Sequence, residues 1–332
     1  MPGYELIGKE EQLAVNQVFE EGGILFAHGF DSLRKRFHVK EFEIQASQYF
    51  KSKYSVAVSS GTAGLKTALK AVGVESGDEV LTQSFNFIAT VEAIIDCGAY
   101  PTICGVDENL HLDISDLRKK ITKNTKAIII VHMLGMGGPL EEILKIGKEF
   151  RIPIIEDNCE AIGGKFSDKY LGTISDIGVM SFDHGKMIAC GEGGMILTEN
   201  KKYFEYFCQY RDHGHENNPN LPRGRDKRIM PGFNYRMTEL QAAVGKEQLK
   251  KLDYMLLENK KRYDILSSKI SKVAKIREEL ILQNGSYDTF IFSVENDILR
   301  DRLLNLLKEM HFGTKNLPDA MEWHCSYFWQ HA

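Results

Sequence analysis

The 332-residue sequence predicts an α/β fold, with a large domain on a mainly parallel sheet flanked by helices and a small C-terminal α+β domain. Two observations carry this. Short apolar or β-branched runs recur at intervals of roughly 21 to 27 residues from Tyr54 onward, with helical patterns between them, as βαβ units require. The polar, glycine-containing stretches that could carry chemistry fall where those runs end, and open parallel sheets bind ligands beyond the carboxyl ends of their strands.

In chain order, Lys9 to Glu21 reads as an amphipathic helix stopped by Gly22 and Gly23. Residues 24–38 show no period and read as a loop; a second helix follows from Val39 to Lys51. The strand Tyr54–Val58 runs into SSGTAGLK, which opens a helix closing at Gly73. Strands at Glu79–Thr82, Tyr100–Cys104, Ala127–Val131 and Ile152–Glu156 alternate with helices near Ile88–Cys97, Ile114–Ile121 and Leu140–Phe150. The apolar runs Ile177–Phe182 and Met195–Thr198 are two more strands, and the polar turn between them carries Lys186. Glu199–Arg211 reads as a helix, and the polar DHGHENNPNLPRGRDKRIMPG after it is long enough to suggest a functional or mobile loop. Met237–Lys269 reads as one long helix or two joined ones, Tyr287–Val294 as a strand and Leu299–Met310 as a helix. The division that follows is 1–250 for the large domain, with its N-terminal helical segment, and 251–332 for the small one.

Composition narrows the function. Hydrophobic content of 43% and charged content of 27% are ordinary for a globular protein, and a net charge of −4 offers no basic stripe for nucleic acid. No apolar run approaches membrane-spanning length and no signal peptide is visible, so a cytoplasmic protein without membrane contact is expected. Six scattered cysteines without a CxxC pair argue against a zinc site or disulfide framework.

Three stretches carry candidate chemistry. In SSGTAGL the amides of Thr62 and Ala63, at a helix start, form either an anion cradle or a plain strand-to-helix turn. In IIEDNCEAIGG, Asp157 either caps the next helix or holds a cationic ring nitrogen. Lys186 is either a solvated surface charge or an amine held rigidly between two strands.

Taken together, the SGTA turn, the EDxxxA strand end, the SFxxxK loop running into GEGG, and GFNYRMTELQAA resemble the sugar aminotransferases of the DegT/StrS type over roughly residues 1 to 270. The resemblance implies pyridoxal-phosphate fold type I with a seven-stranded sheet. Position by position, it implies that Lys186 forms the aldimine with pyridoxal 5'-phosphate and moves the proton, with the pyridoxamine form as intermediate. A lysine in that role must spend time neutral, which cationic or desolvated surroundings promote. It further implies that Asp157 pairs with the ring nitrogen, that Gly61, Thr62, Ala63 and Ser181 hold the phosphate, and that Phe87 and Ala161 cover the two ring faces. Asn234 matches a residue reaching the phosphate of a neighbouring subunit, which implies a homodimer with shared sites. Glu160 stands where the family more often carries Gln or His, so it either turns away or raises the proton affinity of the adduct. The chain also looks short at its C-terminus for this family. The implied substrates are an amino donor, L-glutamate or L-glutamine, and a keto- or aldehyde-sugar for cell-surface polysaccharide. That sugar is nucleotide-linked or, by the resemblance of MPGYELIGKEE, DHGH and WHCSYFWQH to one branch, of the 8-oxo-octulosonate type of lipopolysaccharide. His184, His213, His215, Arg223, Arg225 and Arg228 are candidate substrate contacts or a solvated loop. A pyridoxamine-dependent sugar dehydratase, in which histidine replaces the lysine, and a non-catalytic cofactor- or sugar-binding homologue remain alternatives.

Overall fold

The computed structural model describes residues 2–216, 218, 220–221, 225–314 and 322–332. Two helices, α1 (Lys9–Glu20) and α2 (His38–Phe50), precede strand β1 (Tyr54–Val58). The chain then alternates through α3 (Gly61–Ala71), β2 (Glu79–Gln83), α4 (Ile88–Asp96), β3 (Tyr100–Cys104), α5 (Ile114–Lys120), β4 (Thr125–Val131), α6 (Leu140–Phe150) and β5 (Ile154–Asp157). A two-residue-per-strand hairpin, β6 (Lys165–Phe166) and β7 (Lys169–Tyr170), leads to β8 (Ile177–Ser181) and β9 (Gly194–Thr198). α7 (Lys201–Tyr210) and α8 (Glu239–Ile270) follow. The remainder is β10 (Lys275–Ile276), β11 (Gln283–Asn284), β12 (Phe292–Ser293) and α9 (Asp297–Glu309).

Seven strands form the central sheet in the order β1-β9-β8-β5-β4-β2-β3. Within it β2, β3, β4, β5 and β8 are mutually parallel, and β9 runs antiparallel to both its neighbours. Burial on both faces explains why these strands read as continuous apolar runs. β4 shows the alternation inside such a run: Ala127, Ile129 and Val131 pack with Leu65, Leu69 and Phe207, while Ile128 and Ile130 pack with Leu140, Ile143 and Ile154. Polar residues begin where β1, β2, β5 and β8 end, so the strand ends form a shared polar floor.

The division at 250 falls inside α8, a single 32-residue helix whose N-terminal half packs on α1 and α2. The stretch Tyr287–Val294 is not one strand; only Phe292–Ser293 pairs, with Lys275–Ile276, while Tyr287 and Phe290 bury their rings against Tyr263. The segment after α8 contacts the rest of the chain. β11 pairs with β6, and Arg277 donates to the carbonyls of Met133 (2.7 Å) and Asn109 (2.8 Å). Residues 322–332 fold back on the end of β2, where Asn86 N donates to His324 O (2.9 Å) and Ser326 N to Ser84 O (2.9 Å). No helix among the described residues is long and apolar enough to cross a membrane.

Candidate active site

β8 and β9 are adjacent antiparallel strands, so the loop between them returns to the same sheet edge and carries Lys186 with it. The N-terminal segment fastens that loop: Gly3 N donates to Lys186 O (2.9 Å), and a Cβ at Gly3 would collide with the backbone at Ala189 (2.9 Å). Lys186 Nζ lies 3.1 Å from Glu160 Oε1 and 5.8 Å from the centroid of the Phe87 ring. Burial acts against the ammonium, but the Glu160 carboxylate outweighs it and the lysine pKa is raised. This corrects the expectation of surroundings that promote a neutral lysine. Glu160 does not turn away either. Desolvation is offset by Lys186, by His324 and by the Leu134 amide (3.3 Å), which together hold its pKa down.

Asp157 ends β5 and is 3% exposed. Its Oδ2 accepts a hydrogen bond from the Thr90 hydroxyl (2.7 Å) and its Oδ1 one from the Cys159 amide (3.2 Å). Thr90 reaches it because Phe87 is the N-cap of α4, which places residue 90 in the helix's first turn, over the end of β5. The neighbouring Glu156 is wholly buried and serves a different end. It accepts from the amides of Gly172, Ile174 and Ser175 at 2.7–2.8 Å and pairs with His132 Nε2 at 3.0 Å.

At the end of β1, Ser60 caps α3: its side chain accepts from Ala63 N (3.1 Å). The Ala63 amide is therefore engaged, and the Gly61 and Thr62 amides are the ones at this helix start without an acceptor among the described residues. A Cβ at Gly61 would stand 2.9 Å from Ser181 Cβ and 3.0 Å from Cys159 Sγ, so the turn and the end of β8 meet closely around a helix N-terminus that favours an anion.

Other sequence candidates lie elsewhere. Ala161 is wholly enclosed in the core cluster with Leu171 and Ile130, so it presents no surface to a ring. His184 is exposed and stacks on Tyr4 (4.6 Å). His215 is 4% exposed, bonds Asp226 at 2.7 Å and bridges to Arg228, which makes it a brace of its loop and not a substrate contact. His213, in the left-handed region at φ 54°, and Arg225, Arg228 and Asn234 are all exposed. Arg223 lies outside the described residues. The residues that sequence reasoning missed are Thr90 and His324. His324 Nε2 stands 3.7 Å from Glu160 Oε1, and its ring lies edge-on to Phe87 at 5.7 Å. Among the described residues no cluster of His, Cys, Asp and Glu could hold a metal ion.

An amine beside a carboxylate, a second buried carboxylate, an anion-accepting helix start and an aromatic face thus converge at the strand ends. Comparison with known proteins agrees with this arrangement. Residues 7–328 match the DegT/DnrJ/EryC1/StrS aminotransferase family. The chain is 34% identical over 244 residues to GDP-perosamine synthase of Escherichia coli O157:H7, covering 73% of this chain and 65% of that protein. It thus spans just under two thirds of that relative's length. Among solved structures, DesV of S. venezuelae, in complex with a ketimine intermediate, superposes with a TM-score of 0.84 at 25% identity, covering 94% of this chain and 80% of that one. An E. coli GDP-4-keto-6-deoxy-D-mannose-3-dehydratase with bound hydrated PLP gives 0.80 at 27%, covering 91% and 81%.

Proposed function

Because the chain belongs to the DegT/DnrJ/EryC1/StrS aminotransferase family, we propose that it moves an amino group from L-glutamate or L-glutamine to the carbonyl of a sugar, with pyridoxal 5'-phosphate as cofactor. The observation that carries this reading is the Lys186 amine, 3.1 Å from Glu160 at the strand ends and facing the Phe87 ring. Bound there, the cofactor supplies an aldehyde that captures the donor's amino group and a ring that takes up the electrons left when the α-proton departs. The residues suit it. The Gly61 and Thr62 amides with Ser181 would hold the phosphate, Phe87 would cover one ring face, and Asp157 would face the ring nitrogen. The Thr90 hydroxyl and the Cys159 amide donate to Asp157 and fix its orientation. Lys186 carries the proton to and from the substrate carbon, which requires it first to shed the proton that Glu160 stabilises. Asn234, which is exposed, would by its match to the family's motif reach the phosphate of a second subunit, and the active form would then be a homodimer.

Transamination is favoured over sugar dehydration because the SFxxxK loop carries Lys186 in the slot where the dehydratases have histidine, while His184 in the same loop stacks on Tyr4. The acceptor is taken to be a GDP-linked keto sugar, since the similar E. coli protein is a GDP-perosamine synthase; an 8-oxo-octulosonate is the competing acceptor. The test is the visible spectrum of the protein with added cofactor, before and after L-glutamate. A yellow band that bleaches with glutamate, and is missing in Lys186→Ala, is expected. A folded wild-type protein without such a band would overturn the reading, and amino transfer to one of the two acceptors decides between them.

A further inference from the structure

The Glu160 carboxylate has two basic partners on a single oxygen. Lys186 Nζ is 3.1 Å from Oε1, and His324 Nε2 is 3.7 Å from the same atom. All three side chains are shielded from solvent, with 21%, 11% and 3% of the lysine, glutamate and histidine side chains exposed. A buried carboxylate is strongly disfavoured without a matching positive charge, and two cations on one oxygen repel each other. The site therefore accommodates one proton more comfortably than two or none.

We infer that His324 is the second seat for the proton that Lys186 gives up: when the lysine is neutral, the imidazole takes up a proton and keeps Glu160 paired. When the Nζ–H bond breaks, that proton goes to the substrate carbon or to water, and a proton from solvent adds to His324 Nε2. The net charge of the three groups is unchanged, so the lysine becomes a base without stranding a buried anion. The other ionisable groups facing the cluster are committed. Arg277 donates to two carbonyls, Asp157 accepts from Thr90 and Cys159 N, and Asp288 accepts from the Ser286 hydroxyl (3.0 Å). Burial keeps the Cys159 thiol protonated. Among the described residues, the aromatic rings of Phe85, Phe87 and Trp323 lie against the imidazole. His324 is delivered by the backbone bonds of residues 322–332 to the end of β2.

The inference rests on Lys186 being the reacting amine, but its test uses cofactor-free protein, so its failure is separable from failure of the cofactor spectrum. The full chain is labelled with ¹³C at histidine Cε1, and the His324 signal, assigned from its loss in H324Q, is followed by NMR between pH 5 and 10. In K186Q and K186M its midpoint is expected to rise by about one unit over wild type, because a neighbouring cation has been removed. E160Q alone is expected to lower the midpoint, because the carboxylate that favours the imidazolium has been removed. The other histidine signals report that each variant is folded. A His324 midpoint indifferent to both lysine variants, or a ring that does not titrate in this range, would overturn the inference.

Discussion

Asp157 shows how little of an active carboxylate's behaviour resides in the carboxylate itself. It is buried, and its oxygens are held by donors brought from α4 and from its own strand end. Removing the Thr90 hydroxyl while keeping its shape leaves one buried oxygen short of a partner. Thr90→Val is therefore expected to cost about 1–2 kcal/mol of stability and to weaken cofactor binding roughly tenfold, with Thr90→Ser restoring both. Cofactor titration followed by its absorbance, with urea melts of the same variants, reads both quantities; a Thr90→Val protein that binds as wild type would show the bond to be idle. Lys186 and Asp157 were legible in the sequence because each sits at the end of an apolar run, where a parallel sheet presents its ligands. Thr90 was not, since its partner is 67 residues away and nothing in IATVEA distinguishes that threonine from a core one. His324 was hidden in the same way, and its proximity to Glu160 exists only after the C-terminal segment has folded back. His215 misled for the opposite reason. A polar loop looks like a binding loop until Asp226 is seen to absorb its histidine.

At the scale of elements, β8 holds the lysine loop in place partly through what stands behind it. The loop 171–175 crosses β8 so closely that a Cβ on Gly178 would overlap the Gly172 carbonyl. That loop's amides satisfy Glu156, which in turn fixes His132 and the end of β4. Gly178→Ala would have to push the loop outward and strip donors from a fully buried carboxylate. The expected loss is about 3 kcal/mol or more, beyond ordinary overpacking, because two costs add. Thermal or urea unfolding of Gly178→Ala, alone and with Glu156→Gln, separates them: the second change should recover part of the loss, and a Gly178→Ala loss under about 1 kcal/mol would show the loop to be free to move. The strands of the central sheet were legible because burial on both faces leaves them largely apolar, as in YSVAV, TKAIIIV and IGVMS. The two-residue strands β6, β7 and β10 to β12 leave no such trace. In YDTFIFSV, aromatic residues that look strand-like are instead buried against Tyr263.

At the scale of the molecule, the N-terminal layer and the long helix are joined by one carboxylate. Glu239, first residue of α8, accepts from the amides of His38 and Val39 at the start of α2, 3.4 Å from Arg34 Nη1. This junction ties the first half of α8 to the N-terminal helices. Burial pushes the Glu239 pKa up to about 7 against the pull of His38 N, Arg34 and Val39 N. The folded protein thus binds a proton below pH 7 that the unfolded chain takes up only near 4.5. With more protons bound to the folded state, stability rises as pH falls through this window, by on the order of 3 kcal/mol from this group. Glu41 acts in a lower range. Despite desolvation, Arg36 and Lys246 hold its pKa down to about 2, so its stabilisation is present above 4.5 and is lost as pH falls toward 2. His38, whose pKa burial lowers, works against Glu239 below about pH 6.5, so the wild-type curve alone does not isolate the glutamate. The difference between wild type and Glu239→Gln does. Urea melts at pH 5, 6, 7 and 8 should show the wild type gaining on the variant as pH falls from 7 to 5, and running parallel to it above pH 8. Two parallel curves across the whole range would mean that Arg34 and the helix amides hold Glu239 ionised throughout, and that the joint between the two layers carries no pH dependence of its own.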